Sequence, residues 1–95
     1  MPEMIFDIRW PDDATEACYS PSLVVREHLA VGVAYPLPEF VARCRTALGI
    51  ASERVEAKYG FPCSRAMAQL ARLEARATSF AGTPDPVVHV LAFRE

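Results

Sequence analysis

One cysteine in this sequence stands where a helix is expected to begin. Cys63 follows the segment Tyr59-Gly60-Phe61-Pro62, which interrupts two apolar helical patterns. A helix N-terminus favours negative charge, and Arg65 is two residues further on, so the position favours a thiolate, the nucleophilic form of cysteine. Cys63 is therefore a candidate for nucleophilic chemistry. The alternative interpretation is a small apolar residue that packs at a junction of two helices.

Nucleophilic catalysis by a thiol also needs a base. The two histidines, His28 and His89, are far from Cys63 in the sequence, so the fold would have to bring one of them to the sulfur. They are weak candidates for catalytic residues. A histidine on an apolar strand face, such as His89, is more often a hydrogen-bonded residue of a core or an interface than a catalytic base.

The other two cysteines have structural interpretations. Cys18 lies on an expected strand, and Cys44 lies within the apolar stripe of an expected helix. Three scattered cysteines predict free thiols and no disulfide framework. The spacings CxxC, HxH and HExxH do not occur, and the four glycines are isolated. The sequence therefore predicts no metal site and no bound cofactor.

Composition limits the class of protein. The chain has 95 residues, of which 52% are hydrophobic and 23% are charged, and this fits a single domain over residues 1–95. A formal net charge of -2 argues against a nucleic-acid partner. No apolar run reaches membrane-spanning length, and the N-terminus lacks the positive charge of a signal peptide. We therefore expect no membrane contact and a cytoplasmic location.

Hydrophobic alternation predicts an N-terminal hairpin. Apolar residues occupy every second position over residues 4–10, as in a strand with one buried face. Proline and two aspartates then provide a turn, and the extended pattern resumes over residues 15–19. Residues 21–29 form either a short helix capped by Ser20 or more extended chain. The prolines within residues 32–38 predict an irregular connection.

Two helices and a strand are expected to follow. After Pro38, an apolar stripe with three- and four-residue steps runs from Phe40 to Tyr59, and Gly60 is placed to cap that helix. A second helix opens within residues 62–64 and continues to Ala77, before a strand over residues 87–93 that is apolar on both faces. The order predicts an α+β fold. Its three-stranded, mainly antiparallel sheet combines the N-terminal hairpin with the C-terminal strand and is covered on one face by two antiparallel helices.

The second face of such a sheet would have no helix against it. In this arrangement Ile5, Val88 and Val90 would be exposed there. Exposed apolar surface of this kind is typical of an interaction site, so we predict a homodimer formed through the sheet.

Four segments of the sequence form a specific combination: Arg9-Trp10-Pro11-Asp12, residues 18–25, residues 51–55, and Tyr59-Gly60-Phe61 with Cys63-Ser64. Together they resemble a family of small bacterial nitrogen-starvation-response proteins encoded beside a nitrilase. Asp13 stands where glycine is expected in the turn of that family. The resemblance implies gene neighbours that include a nitrilase, a radical-SAM protein and an acetyltransferase, and hence a link to assimilation of nitrile or cyanide nitrogen. It implies no catalytic residue for this chain.

Two functional hypotheses follow. The first is an accessory or interaction protein without catalytic activity, whose partner comes from the nitrilase neighbourhood. The second is a small thiol-dependent enzyme or carrier that uses Cys63, with His28 or His89 as the base. The first is preferred because the sequence lacks a catalytic constellation.

Overall fold

The computed structural model describes residues 3–95 and shows an α+β fold. Four strands form one antiparallel sheet, and two helices follow the third strand. In chain order the elements are β1 (Met4–Arg9), β2 (Thr15–Ser20), a short 3₁₀ helix (Leu23–Glu27), β3 (Ala34–Pro36), α1 (Leu37–Tyr59), α2 (Ser64–Thr78) and β4 (Val87–Arg94).

The strand order across the sheet is β2-β1-β4-β3. β1 and β2 are the predicted hairpin, and β4 lies inside the sheet, between β1 and β3. The prediction of three strands is wrong, because Ala34–Pro36 pairs with β4 and is not an irregular connection. Pro36 tolerates this role because β3 is a three-residue edge strand, where the missing N–H can face away from the sheet.

The two helices run antiparallel. Arg45, in the first half of α1, places its Nη2 atom 2.6 Å from an oxygen of Glu74, in the second half of α2. Ser52, nearer the end of α1, accepts a hydrogen bond from the backbone N–H of Cys63, just before α2. α1 is continuous through Gly49, as the unbroken phase of its apolar stripe predicts.

The core lies between the sheet and the helices, and Trp10 is its largest fully buried side chain. The Trp10 ring meets Phe40 of α1 edge-on, at a centroid distance of 6.0 Å, and stacks on Phe80 at 5.9 Å. Its Nε1 donates to a carboxylate oxygen of Glu16 at 2.9 Å. One side chain therefore joins the end of β1, the helix α1 and the chain beyond α2.

The connection after β2 contains a shorter helix than the one predicted over residues 21–29. The 3₁₀ helix spans Leu23–Glu27, and its cap is Ser22, whose Oγ accepts from the N–H of Val24 at 3.2 Å. The predicted cap, Ser20, is buried and donates its hydroxyl to the carbonyl of Ser22 instead. Ser20 still belongs to β2, so the residue that caps the 3₁₀ helix is Ser22, directly before it.

The turn between β1 and β2 contains Asp13, the residue at which glycine was expected, in a conformation that glycine favours. Asp13 has a φ of +68°, in the left-handed region, and its N–H donates to the carbonyl of Trp10 at 2.9 Å. Aspartate tolerates this region better than most residues, and glycine adopts it freely. The substitution is therefore compatible with the same turn.

The face assigned to β4 from the sequence is reversed. Val88 and Val90 are 0% and 1% exposed and pack in the core, whereas Val87 and His89 point away from it. The sequence pattern could not decide between the faces because both are apolar. Leu91 has no partner in β1, because Asp7 pairs with Ala92 and Ile8 pairs with Val90. This one-residue shift changes the face of the sheet on which the residues after Leu91 lie.

An ion pair links β1 to β4. Arg94 donates from Nε and Nη2 to the two carboxylate oxygens of Asp7, each at 2.8 Å. These hydrogen bonds hold the pKa of Asp7 below its usual range. Because a lowered folded-state pKa adds stability above the pKa of the unfolded chain, this contribution is lost as the pH falls through the folded-state value.

We expect the variant Asp7→Asn to be slightly less stable than the wild type at neutral pH. The difference should shrink as the pH falls below about 4, where the unfolded carboxyl begins to protonate. Thermal unfolding of both proteins between neutral pH and strong acid measures this. A difference that stays constant across the whole range would contradict the assignment.

Candidate functional site at the helix corner

The turn between α1 and α2 is held by backbone caps. α1 ends at Tyr59, and Gly60 adopts the left-handed conformation with a φ of +88° and donates its N–H to the carbonyl of Glu56 at 2.8 Å. α2 begins at Ser64, so Cys63 is its N-cap residue, as the sequence predicted to within one position. The N–H of Cys63 donates to the Oγ of Ser52 at 3.2 Å. The corner is therefore a fixed part of the fold.

Cys63 is half-buried in the wall of a small cavity of about 160 Å³. The cavity is lined by Glu3, Tyr19, Pro21, Val55, Tyr59 and Cys63. The Tyr19 hydroxyl lies 3.3 Å from a carboxylate oxygen of Glu3, and the guanidinium of Arg65 lies 3.8 Å from the centre of the Tyr19 ring. Burial, and then the negative charge of Glu3, raise the pKa of Tyr19.

The histidines occupy other parts of the molecule. His28 follows the 3₁₀ helix, and its carbonyl accepts a hydrogen bond from Arg43 of α1. Arg43 contacts His28, and Ser52 contacts Cys63. These two residues of α1 are about 13 Å apart along the helix axis, so His28 and Cys63 lie at different levels of the helix. His89 is exposed on the sheet face that the helices do not cover, opposite Arg9 and Ala34. Within residues 3–95, no hydrogen bond joins either imidazole to the Cys63 sulfur.

Three large apolar side chains project from the same corner. Tyr59 is 54% exposed, Phe61 is 65% exposed and Met67 is 44% exposed. Met67 lies one helical turn after Cys63, and Tyr59 lines the cavity with Cys63, so all three side chains belong to the same corner of the fold. We call the surface formed by Tyr59, Phe61, Pro62, Cys63 and Met67 the corner patch.

The sequence did not reveal the corner patch because the inward face of α2 is not purely apolar. Hydrophobic periodicity alone would place Met67 in the packed face of α2 and Gln69 opposite it, but Met67 is 44% exposed and Gln69 is 1% exposed. Its Oε1 accepts from the backbone N–H of Tyr19 at 2.9 Å and from Arg72 at 3.0 Å. Gln69 thus caps an outward N–H of the edge strand β2, a role that hydrophobic periodicity cannot show.

Charged side chains border the corner patch. The ammonium of Lys58, the only lysine of the sequence, lies 5.5 Å from the centre of the Tyr59 ring. Arg65 lies 3.7 Å from Glu3. The apolar centre therefore has a polar rim, which is the usual arrangement of a protein interaction site.

The three thiols should differ sharply in reactivity. Cys18 and Cys44 are each 0% exposed, and burial raises the pKa of both thiols, that of Cys44 to about 12. We expect a thiol reagent such as iodoacetamide to modify one cysteine of the folded chain, Cys63, and all three in strong denaturant. Mass spectrometry of the labelled peptides measures this. Fast labelling of Cys18 or Cys44 in the folded protein would contradict the burial.

Two further observations concern the described part of the chain. Residues 3–95 contain no cluster of three histidine, cysteine, aspartate or glutamate side chains that could hold a metal ion. Neither helix in this range combines the length and the apolar character needed to cross a membrane.

The comparisons with known proteins identify a family. Residues 5–93 match the family described as "Nitrogen starvation-induced protein NitG". The match covers nearly the whole chain, so the chain belongs to this family of nitrogen starvation-induced proteins, as its sequence segments had indicated. No curated protein and no solved structure matches the chain.

Proposed function

We propose that this protein is an accessory protein of the nitrogen-starvation response that acts by binding a partner protein at the corner patch. The observation that carries the proposal is the exposure of three large apolar side chains, Tyr59, Phe61 and Met67, within residues 59–67 at one corner of the fold. Family membership supports the physiological setting. The hydrogen bonds from Gly60 to Glu56 and from Cys63 to Ser52 support a preformed surface, which lowers the cost of binding.

The size of the corner patch supports specific but reversible binding. Covering the exposed parts of its three large side chains would remove on the order of 300 Å² of apolar surface from water. The gross gain is on the order of 7 kcal/mol, from which the costs of association must be subtracted. A partner therefore needs further contacts at the polar rim, where Lys58, Arg65 and Glu3 are available.

We further propose that the partner is an enzyme encoded in the same neighbourhood as a nitrilase, and that the complex serves assimilation of nitrile or cyanide nitrogen in the cytoplasm. The resemblance of the sequence segments to the nitrogen-starvation-response proteins supports this choice of partner. The candidates are the nitrilase, the radical-SAM protein and the acetyltransferase of that neighbourhood.

The test uses Cys63 as a reporter, because it is the half-buried cysteine while Cys18 and Cys44 are buried. A photo-crosslinker attached to Cys63 is mixed with each of the three purified neighbour enzymes. We expect a crosslink to one of them. The control is Cys63→Ser combined with Thr83→Cys, which moves the label to an exposed turn before β4 and should give none. No crosslink from Cys63 to any of the three would overturn the proposal.

A thiol-dependent enzyme or carrier is the second candidate function, favoured by one observation. Cys63 borders a cavity together with the hydroxyl-bearing side chain of Tyr19 and the carboxylate of Glu3. In this version Cys63 is the nucleophile, and His28 or His89 would have to move to serve as a base. Iodoacetamide trapping at neutral pH distinguishes the two functions, because a catalytic thiol should react faster than free cysteine. A rate at or below that of free cysteine would exclude the enzyme.

A further inference from the structure

Within residues 3–95, one face of the sheet has no helix against it. The residues on this open face belong to β1 (Ile5, Asp7, Arg9), β2 (Thr15, Ala17, Tyr19), β3 (Ala34, Pro36) and β4 (Val87, His89, Leu91, Ala92, Arg94). A solvated face of an antiparallel sheet is normally polar, with apolar residues directed to the core. Here more than half of the outward residues are apolar, which differs from that pattern.

The centre of the open face is a shallow trough. Ala17, Asp7 and Ala92 lie side by side in register across β2, β1 and β4. The two alanines are too small to fill the space, and a depression of about 360 Å³ results, which Leu91 borders at the pairing shift. Side chains of another surface could enter this depression without displacing the backbone.

Two charges in the middle of the open face neutralise each other, while Glu16, which also lines the depression, accepts a hydrogen bond from the Trp10 indole. The carboxylate of Asp7 accepts two hydrogen bonds from Arg94, so the two side chains cancel each other's charge within one chain. Covering them therefore leaves no unpaired ion, which is the main penalty for burying a charge. Arg9 takes part in no ion pair among residues 3–95, and it lies at the edge of the trough, where it can remain hydrated.

We propose that the open face binds the open face of a second copy of this chain, in a weak two-fold symmetric dimer. This inference is independent of the function proposed for the corner patch. It keeps the homodimer expected from the sequence but changes its contact residues, since Val88 and Val90 lie in the core.

The dimensions of the sheet favour this occupant. The four strands have three to eight residues and a mean length of about six. At a spacing of about 4.8 Å they cover about 19 by 20 Å, or about 800 Å² for two copies in projection. Accessible surface is larger than projected area because side chains make the face uneven. The buried surface therefore approaches the lower limit for specific interfaces, about 1,200 Å². An interface of this size fits a weak, reversible complex and not a permanent one. In a two-fold symmetric pair each favourable contact occurs twice. The dimer leaves both corner patches exposed, because they lie at the helix layer.

Sedimentation velocity over a wide range of protein concentrations tests the proposal. We expect the wild type to change from monomer to dimer as its concentration rises. The variant Ala17→Arg fills the trough with a long charged side chain and should weaken the dimer at least about 10-fold. Its matched control is Ala71→Arg, the same change at an exposed position of α2, which should dimerise as the wild type does.

A second variant guards against a folding defect of the first. Leu91→Lys introduces a charge at the border of the same trough and should also weaken the dimer, and the circular dichroism of every variant is compared with that of the wild type. Two results would overturn the proposal. One is a wild type that stays monomeric at the highest concentration, and the other is a folded Ala17→Arg or Leu91→Lys variant that dimerises as strongly as the wild type.

Discussion

Replacing Trp10 by alanine is expected to remove a large part of the stability of the fold. The indole is 1% exposed and contacts Phe40 and Phe80, so its loss leaves a large cavity between β1, α1 and the chain after α2. Truncations of this type cost about 3–5 kcal/mol. Small domains have about 5–15 kcal/mol in total. Urea unfolding followed by circular dichroism should show a midpoint far below that of the wild type, or a chain already unfolded without urea.

The matched control for this prediction is Phe61→Ala. Phe61 is also aromatic but 65% exposed, so its truncation should change the unfolding free energy by less than about 0.5 kcal/mol. Near-equal effects of the two substitutions would contradict the assignment of Trp10 to the core and of Phe61 to the surface. The contrast also shows why Phe61 can be altered in binding experiments without loss of the fold.

Phe61→Ser is expected to weaken partner binding by about 10- to 100-fold. Central aromatic side chains supply most of the binding energy of protein interfaces, and Phe61 is the most exposed large apolar residue of the corner patch. Calorimetric titration with the enzyme that crosslinks to Cys63 measures the effect. Val31→Ser is the control, since Val31 is 50% exposed but lies between the 3₁₀ helix and β3. Equal losses for both variants, or none for Phe61→Ser, would contradict docking at the corner patch.

The helices were predictable because their signals are local. The apolar stripe of α1 and its cap at Gly60 are written in consecutive residues, and the structure places both where the pattern indicated. The strand β3 was not predictable in this way. Its three residues include Pro36, which normally argues against a strand, and only pairing with β4 makes them part of the sheet.

The sequence also did not predict which face of β4 and of α2 is buried. β4 is apolar at nearly every position, so alternation could not tell that Val88 points into the core and Val87 away from it. In α2 the exchange between Met67 and Gln69 has a different cause. The backbone N–H of Tyr19 in the edge strand β2 needs an acceptor, and Gln69 provides one, so this polar side chain is buried in an otherwise apolar face.

The candidate site was predicted in part. The position of Cys63 at the start of α2 followed from the proline and glycine before it, and the structure agrees. The sequence could not show that His28 and His89 lie on different parts of the molecule, because their positions depend on the strand order. It also could not show that Phe61 and Met67 are exposed together, since each residue type is usually buried.

Amide hydrogen exchange of the whole chain, alone and mixed with each neighbour enzyme, tests the central claim most directly. Docking at the corner patch predicts that one of the three enzymes slows exchange at the amides of residues 58–67 and leaves the hairpin turn unchanged. Unaltered exchange at these amides in all three mixtures would contradict the account.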